Sequence, residues 1–446
     1  MGCGLFLPLM LLAQQQPPAS DPNQQQPSVQ PQTESPPPAQ KPSNKPQLDR
    51  IHEIEKGRGG GMSELAAFSK DHDRTVRIEA IKAIVKIGGN ASLDPLIAAT
   101  QDSEPEVRAR ATDGIVNVYL PGYVSGYFTH SVRQVKSWFS SRNDSIIDED
   151  VNVRADAAKA IIDEINFGPE MPPRANAALA AGVLRLRAAV PALLDAIRAK
   201  NNDLIFESLV ALQKIHDPSA GPGVSFLVRD LDDRTQMTAL ETVGVLGNRD
   251  AAPDIRYAIQ NARNVKIRRA ALSSLAMLAI PDDRTIFRQY VINGDPELRT
   301  AALEGLGRLR EPEDTPNLQN SYDEANADWR IHLAAAFALV SEGSVSTDDF
   351  SPLLFLVENL NSSARANAAE TYLKELMHHE DVRQNIAKTL PEATRAQKLA
   401  LCWIFADSRS PDLLPVLTQL SSDPDGEVSI AAKRAAHVIQ QARPAQ

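Results

Sequence analysis

The chain has 446 residues, 43% hydrophobic and 23% charged, with a formal net charge of −10 and two cysteines. The acidic balance argues against generic nucleic-acid binding, which needs a basic footprint to release phosphate counterions. Two cysteines supply no disulfide framework, so packing alone must hold the fold.

The first thirteen residues, MGCGLFLPLMLLA, carry an apolar run from Leu5 to Ala13. A run of that length is too short to span a bilayer and suits a signal-peptide core, with cleavage after Ala13. Residues 1–13 are therefore read as a signal peptide, and the protein as exported to the periplasm or cell envelope. The basic residues that usually precede such a core are missing, which a start codon assigned too far downstream would explain. Cys3 precedes the run, where no lipobox places it, and Phe6 stands where myristoylation needs Ser or Thr. Residues 14–47 hold ten glutamines and ten prolines in 34 positions. Such a segment cannot repay the entropy of ordering and reads as a disordered, polyproline-rich linker. Its charges cancel with those before it, so residues 48–446 carry the whole net charge.

From Asp71 onward the sequence repeats. Segments such as HDRTVRIEAIKAI, NVKIRRAALSSL and DPELRTAALEGL align on one slot, at Arg77, Arg108, Arg154, Arg174, Arg268, Arg299, Arg330 and Arg365. Phe206, Gln236, Gln397 and Ser429 occupy it in degenerate copies, and from Arg174 the steps are 32, 30, 32, 31, 31, 35, 32 and 32 residues. Four residues before the slot stand Asp73, Glu104, Asp150, Glu170, Asp232, Asp295 and Asp425, or Asn202, Asn264, Asn326 and Asn361. Asp and Asn there are N-cap residues for a first helix. Leu298, Ala301, Ala302, Gly305 and Leu306 then mark one inward stripe. After a turn, a second helix opens near Pro95, Pro191, Pro253, Pro352 or Pro415. The slot arginine opposes its own helix dipole. An acidic or carbonyl partner on the adjacent repeat would compensate, forming a structural ladder.

A period of this size marks a solenoid of helical pairs. The pattern resembles the short bacterial form of the HEAT repeat, the type also found in phycobilin lyases, from Leu48 to the end. It lacks the signatures of tetratricopeptide and ankyrin repeats. The resemblance implies an all-α, right-handed superhelix of about twelve pairs, its concave face lined by second helices. Residues 48–70 are read as an N-terminal capping pair around Gly59-Gly60-Gly61.

Between Arg108 and Arg154 the step is 46, and from there to Arg174 it is 20, together two repeats in length. This aromatic-rich interruption, at about 119–150, holds Tyr119, Tyr123, Tyr127, Phe128, Trp138 and Phe139, with Arg133, Lys136 and Arg142 on its flank. One reading makes it an elongated helix sealing an irregular joint. The sharper reading makes Tyr123, Tyr127, Phe128, Arg133, Lys136 and Trp138 a contact for a partner, or for a membrane surface through 119–142.

Enzymatic alternatives have little to stand on. Deoxyhypusine hydroxylase, a HEAT-like enzyme, holds iron with paired His-Glu motifs, whereas His52-Glu53 and His379-Glu380 fall at different repeat positions here. No zincin, P-loop or nucleophile-elbow string occurs. No catalytic residue, metal or cofactor is expected, and Cys402 lies in an apolar stretch as an inert thiol. The expected function is that of a non-enzymatic interaction or scaffold protein binding a protein or peptide. The alternative is a repeat-containing enzyme of lyase or metal-dependent hydroxylase type.

Overall fold

A computed structural model describes residues 44–57, 61–124, 146–148 and 151–441. These form 23 α-helices, with no strand among the described residues, stacked as a right-handed α-solenoid. First helices run Lys45–Glu55, Arg74–Ile87, Pro105–Tyr119, Met171–Val183, Asn202–Ile215, Asp233–Val245, Val265–Leu278, Pro296–Leu309, Trp329–Ser341, Ala366–Leu376, Arg395–Ser408 and Gly426–Gln441. Second helices run Met62–Phe68, Leu93–Ala99, Ala155–Phe167, Val190–Ala196, Gly221–Val224, Ala252–Asn261, Arg284–Val291, Thr315–Asp323, Pro352–Asn359, Glu380–Thr389 and Leu414–Leu420. Each first helix packs on the next first helix, and the core is a ribbon of Ala, Leu, Ile and Val between the two layers.

The helix starts follow from side-chain capping. Asp73, Asp232, Asn264, Asp295 and Asp425 accept backbone N–H bonds from the first turn they precede. The other expected caps need correction. Asn201, not Asn202, accepts from Leu204 N, and Asp328, not Asn326, accepts from Arg330 N. Asn361 caps nothing; its helix starts at Ala366, and its side chain meets the Thr394 hydroxyl instead. Glu104 and Glu170 hold the N-cap position without a capping bond, because their longer side chains turn to Arg74 and Arg108. Asp150 lies outside the described residues. Most second helices are preceded by a short 3-10 turn, as at Asn90–Ser92 and Pro281–Asp283, which lets the chain reverse tightly.

The slot side chain works between two helix ends. Arg77 donates to the carbonyls of Asp71 and His72, just past the preceding second helix, and bidentately to Asp102 at the end of its own (2.8 and 3.1 Å). Arg108 repeats this with the carbonyls of Asp102 and Ser103, then Glu164 and Glu170. Arg174 and Arg268 reach the carbonyls of Ile165 and Ile259, and Gln236 and Ser429 reach those of Val228 and Ser421. Each cation therefore sits at the negative end of the preceding second helix, which offsets the unfavourable dipole of its own.

Arg299, Arg330 and Arg365 pair instead with Glu324, Asp328 and the Asn359 side chain. Arg154 lies outside this row altogether, and it corrects the reading of the interruption. Helix Ala155–Phe167 packs on Met171–Val183 and beside Leu93–Ala99, as a second helix does. Arg154 lies at its start, exposed, paired with Asp94 and Asp156. Meanwhile Asn176 bridges directly to Asp113 and to the Ala109 carbonyl on Pro105–Tyr119. The stretch from Arg108 to Arg174 is thus one repeat with a long insertion between its two helices, not two repeats. The array counts eleven pairs and a final unpaired helix among the described residues.

Two substitution experiments test this account. Replacing Arg108 strands Glu164, whose side chain is 3% exposed, and should cost about 3–5 kcal/mol in urea unfolding. Replacing Arg154, 40% exposed, should cost less than about 1 kcal/mol; equal losses would mean that both occupy the same slot. At Gly307 an added Cβ would come within 2.6 Å of the Ala338 Cα on the neighbouring first helix. Gly307→Ala should therefore destabilise by about 1–3 kcal/mol, although alanine favours a helix intrinsically. A raised melting temperature would refute the close approach.

Candidate interaction surface

Of the residues singled out in the insertion, Tyr123 lies in the described part, whereas Tyr127, Phe128, Arg133, Lys136 and Trp138 lie outside it. The helix proposed over 123–140 is likewise outside from residue 125 on. The base of the insertion is pinned on both sides. Asn117 Oδ1 accepts from the N–H groups of Gly122 (3.2 Å) and Val124 (3.3 Å), and Gly122 adopts φ 94°, a turn that favours glycine. Tyr119 and Tyr123 pack half-buried against the core. On the returning side the Tyr119 hydroxyl accepts from Arg154 N–H at 2.9 Å. Ile147, buried, donates its N–H to the Val183 carbonyl at 2.9 Å. Beside this base, burial pushes the Asp113 carboxyl up to about 6, against the lowering effect of the Asn176 bond.

The row of first helices closes on itself at one place. Arg308 on Pro296–Leu309 makes a bidentate pair with Glu375 on Ala366–Leu376, at 2.7 and 2.8 Å, across the intervening helix Trp329–Ser341. Alongside, the Tyr372 hydroxyl donates to Glu304 at 2.6 Å, and the Tyr372 ring stacks on Phe337 at 4.9 Å. Arg308 lies over the other neighbour of this stack, 5.3 Å from the Phe337 centroid. Helices two repeats apart can meet only if the first-helix side is the inner one here. The expectation that second helices line the concave face fails over this stretch.

The row of second helices carries exposed rings that the sequence reading missed. Phe226 and Tyr257, 31 positions apart, are 52% and 51% exposed. Arg198 lies 5.5 Å over the first and Arg229 4.6 Å over the second, each cation coming from the preceding second helix or its end. Aligning the second helices, not only the first, would have found this pair. Phe350 (91%), Phe167 (78%) and Trp403 (58%) are also exposed.

For chemistry the described residues offer little. No group of three or more His, Cys, Asp or Glu side chains there is placed to hold a metal. His52 sits in the first pair and His379 in the tenth, so the array does not bring the dyads together. Burial lowers the His379 imidazole below its ordinary value. Cys402 is buried, its thiol pushed up to about 11 by desolvation, which suppresses the reactive thiolate. A groove of about 490 Å³ beside Arg108 is lined by Lys159, Glu164 and Phe167, but both of its central charges are already paired. No described helix is long and apolar enough to cross a membrane.

Comparison with known proteins places the repeats. Residues 56–115 and 261–340 match the model for HEAT repeats. No curated protein matches the chain. Among solved structures it is similar to the CpcE–CpcF complex of phycocyanin lyase from Nostoc sp., with 19% identity over 65% of this chain and 91% of that one (TM-score 0.32). A β-catenin structure from a study of cadherin binding shares 12% identity over 88% and 96% (TM-score 0.37). Human deoxyhypusine hydroxylase shares 18% over 57% and 96% (TM-score 0.28). The matched repeats and the stacked pairs lead to one statement: this chain is a HEAT-repeat-like all-α solenoid, similar to several repeat proteins and identified with no single one of them.

Proposed function

We propose that the protein is a non-enzymatic interaction or scaffold protein that binds a protein or peptide along the solenoid surface. The observation that carries this reading is the pair of half-exposed rings, Phe226 and Tyr257, at equivalent places in consecutive repeats. Rigid aromatic faces beside arginine are the side chains that dominate binding hot spots. The repeat sets them one helix spacing apart, about 8–10 Å, a distance an extended peptide covers in three residues. A lyase or hydroxylase remains the alternative, and no arrangement of side chains described above favours it. The insertion, Tyr123 to Trp138, is a second candidate contact, for a partner or a membrane surface.

Export to the cell envelope is part of the proposal and rests on the apolar run Leu5–Ala13. Fractionating a host that expresses the full coding region should place the protein outside the cytoplasm, shortened near Ala13. Full-length protein confined to the cytosol would refute it. For function, the full chain should retain a defined partner from native extracts, identified by mass spectrometry and confirmed with the purified partner. The double variant F226A/Y257A should weaken that binding at least about ten-fold while the unfolding midpoint stays within error. If purified wild-type protein retains no protein partner from any fraction, the scaffold reading is wrong.

A further inference from the structure

Four of the five cation–ring contacts among the described residues share a third member; the exception is Arg198 over Phe226, which donates to the Leu194 carbonyl. Arg229, over Tyr257, pairs with Asp254 at 2.5 Å. Arg234 lies 3.6 Å over Phe206 and pairs with Asp203 at 3.0 Å. Arg308, over Phe337, holds Glu375, and Arg330, over Trp329, approaches Asp328. Ring, guanidinium and carboxylate recur as a set, the flat cation lying on a π face while its edge meets an acid.

Phe350 has the ring and the acids without the cation. Its side chain is 91% exposed, and among the described residues no Lys or Arg lies over it. The loop that presents it is fixed. The Ser346 hydroxyl donates to Asp348 Oδ2 (2.6 Å), the Ser351 hydroxyl donates to the Ser346 carbonyl (2.7 Å), and the Tyr322 hydroxyl donates to the Phe350 carbonyl (2.9 Å). Tyr322 itself is wedged edge-on against Phe355 at 5.7 Å. Burial pushes its hydroxyl up to about 12, and the charges of Asp323 and Glu358 act in the same direction. Asp348 and Asp349 directly precede the ring in sequence. Elsewhere acids are tied to arginines of the neighbouring repeat, as Asp295 is to Arg269 and Asp314 to Arg284. From Ile331 to Ala364 the chain has neither Lys nor Arg. Asp348, Asp349 and Glu358 form no ion pair among the described residues. The loop that carries this exposed aromatic face thus has two carboxylates and no cation of its own.

We propose that Phe350, with Asp348 and Asp349 directly before it, is the docking point for an arginine-bearing segment of a protein partner. The partner's guanidinium stacks on the Phe350 ring and pairs with Asp348 or Asp349, completing the set that the rest of the fold builds internally. Arginine is specified over lysine because a planar fork meets ring and carboxylate together, whereas an ammonium does not. The carboxylates repel phosphate, which disfavours a nucleic acid or an anionic lipid surface here. The inference rests on the scaffold reading and names the chemistry of one partner contact.

The test uses fluorescence anisotropy with the full chain and a labelled nonapeptide of alternating glycine and arginine. The wild type should bind it in a salt-dependent, saturable way, with the lysine isostere several-fold weaker. Phe350→Ala should weaken binding about ten-fold. D348N/D349N should do the same and flatten the salt dependence, with I292A, at an exposed apolar side chain elsewhere, unchanged. Thermal unfolding of each variant verifies that the array is intact, as expected for so exposed a ring. Equal binding by wild type and F350A, equal affinity for the lysine peptide, or no saturation up to millimolar peptide would each overturn the proposal. Partner capture separates the two readings. Full retention of a confirmed partner by F350A/D348N/D349N leaves the scaffold reading standing and removes this site. Specific arginine-peptide binding with no protein partner retained keeps the site and removes the scaffold reading.

Discussion

A single helical pair cannot bury its apolar face, so everything here depends on the joint between one repeat and the next. The slot side chain is the part of that joint with direction. Apolar packing between Ala- and Leu-rich helices tolerates sliding, but an arginine such as Arg77 must find carbonyls behind it and a carboxylate ahead of it at once. Satisfying both fixes the offset between consecutive second helices. Where arginine is missing, Gln236 keeps the backward bond to Val228 and receives Arg263 on its oxygen, so the joint survives with different chemistry. This explains why the slot tolerates Gln and Ser yet stays polar in most copies.

Much of this was legible in the sequence because the signals are local. Period, cap and inward stripe are all set within one helix, and Asp73, Asp232 and Asp295 behave as their types predict. The errors came where identity depends on what a helix packs against. DVNVRADAAKAI has the composition of a first helix, yet Ala155–Phe167 fills a second-helix place, since position in the layer is a tertiary property that local pattern does not encode. In one repeat the ladder uses a second arginine as well, which the slot did not reveal. Arg268 reaches back to Ile259, while its neighbour Arg269, one residue around the helix, makes the cross-repeat pair with Asp295 and Glu297. Of the candidate contact residues only Tyr123 falls in the described part, so sequence reasoning about that site stands where it began.

The buried carboxylates show how much a repeat can vary inside a fixed frame. At the last position of the 3-10 turn three repeats have alanine, Ala189, Ala220 and Ala251, whereas Asp283 and Asp314 occupy it fully buried in two others. Both are tolerated because Arg256, and Arg284 with Arg288, arrive from the flanking second helices. A buried acid with an obligate cation demands a specific neighbour where alanine accepts any. The clasp from Arg308 to Glu375 goes further, since it links helices that a nearest-neighbour description treats as independent. Three consecutive repeats therefore share one cooperative unit.

The insertion has a consequence for how such a chain changes over evolution. It leaves at Leu120 and is back at Arg154, with its two ends tied to the tips of neighbouring first helices, while the helices on either side keep the spacing of uninterrupted repeats. The solenoid does not record how many residues pass between those ends. The stretch is thus a cassette: it can be lengthened, shortened or exchanged without altering the register of anything downstream. New recognition chemistry can be acquired there while the load of folding stays with the repeats.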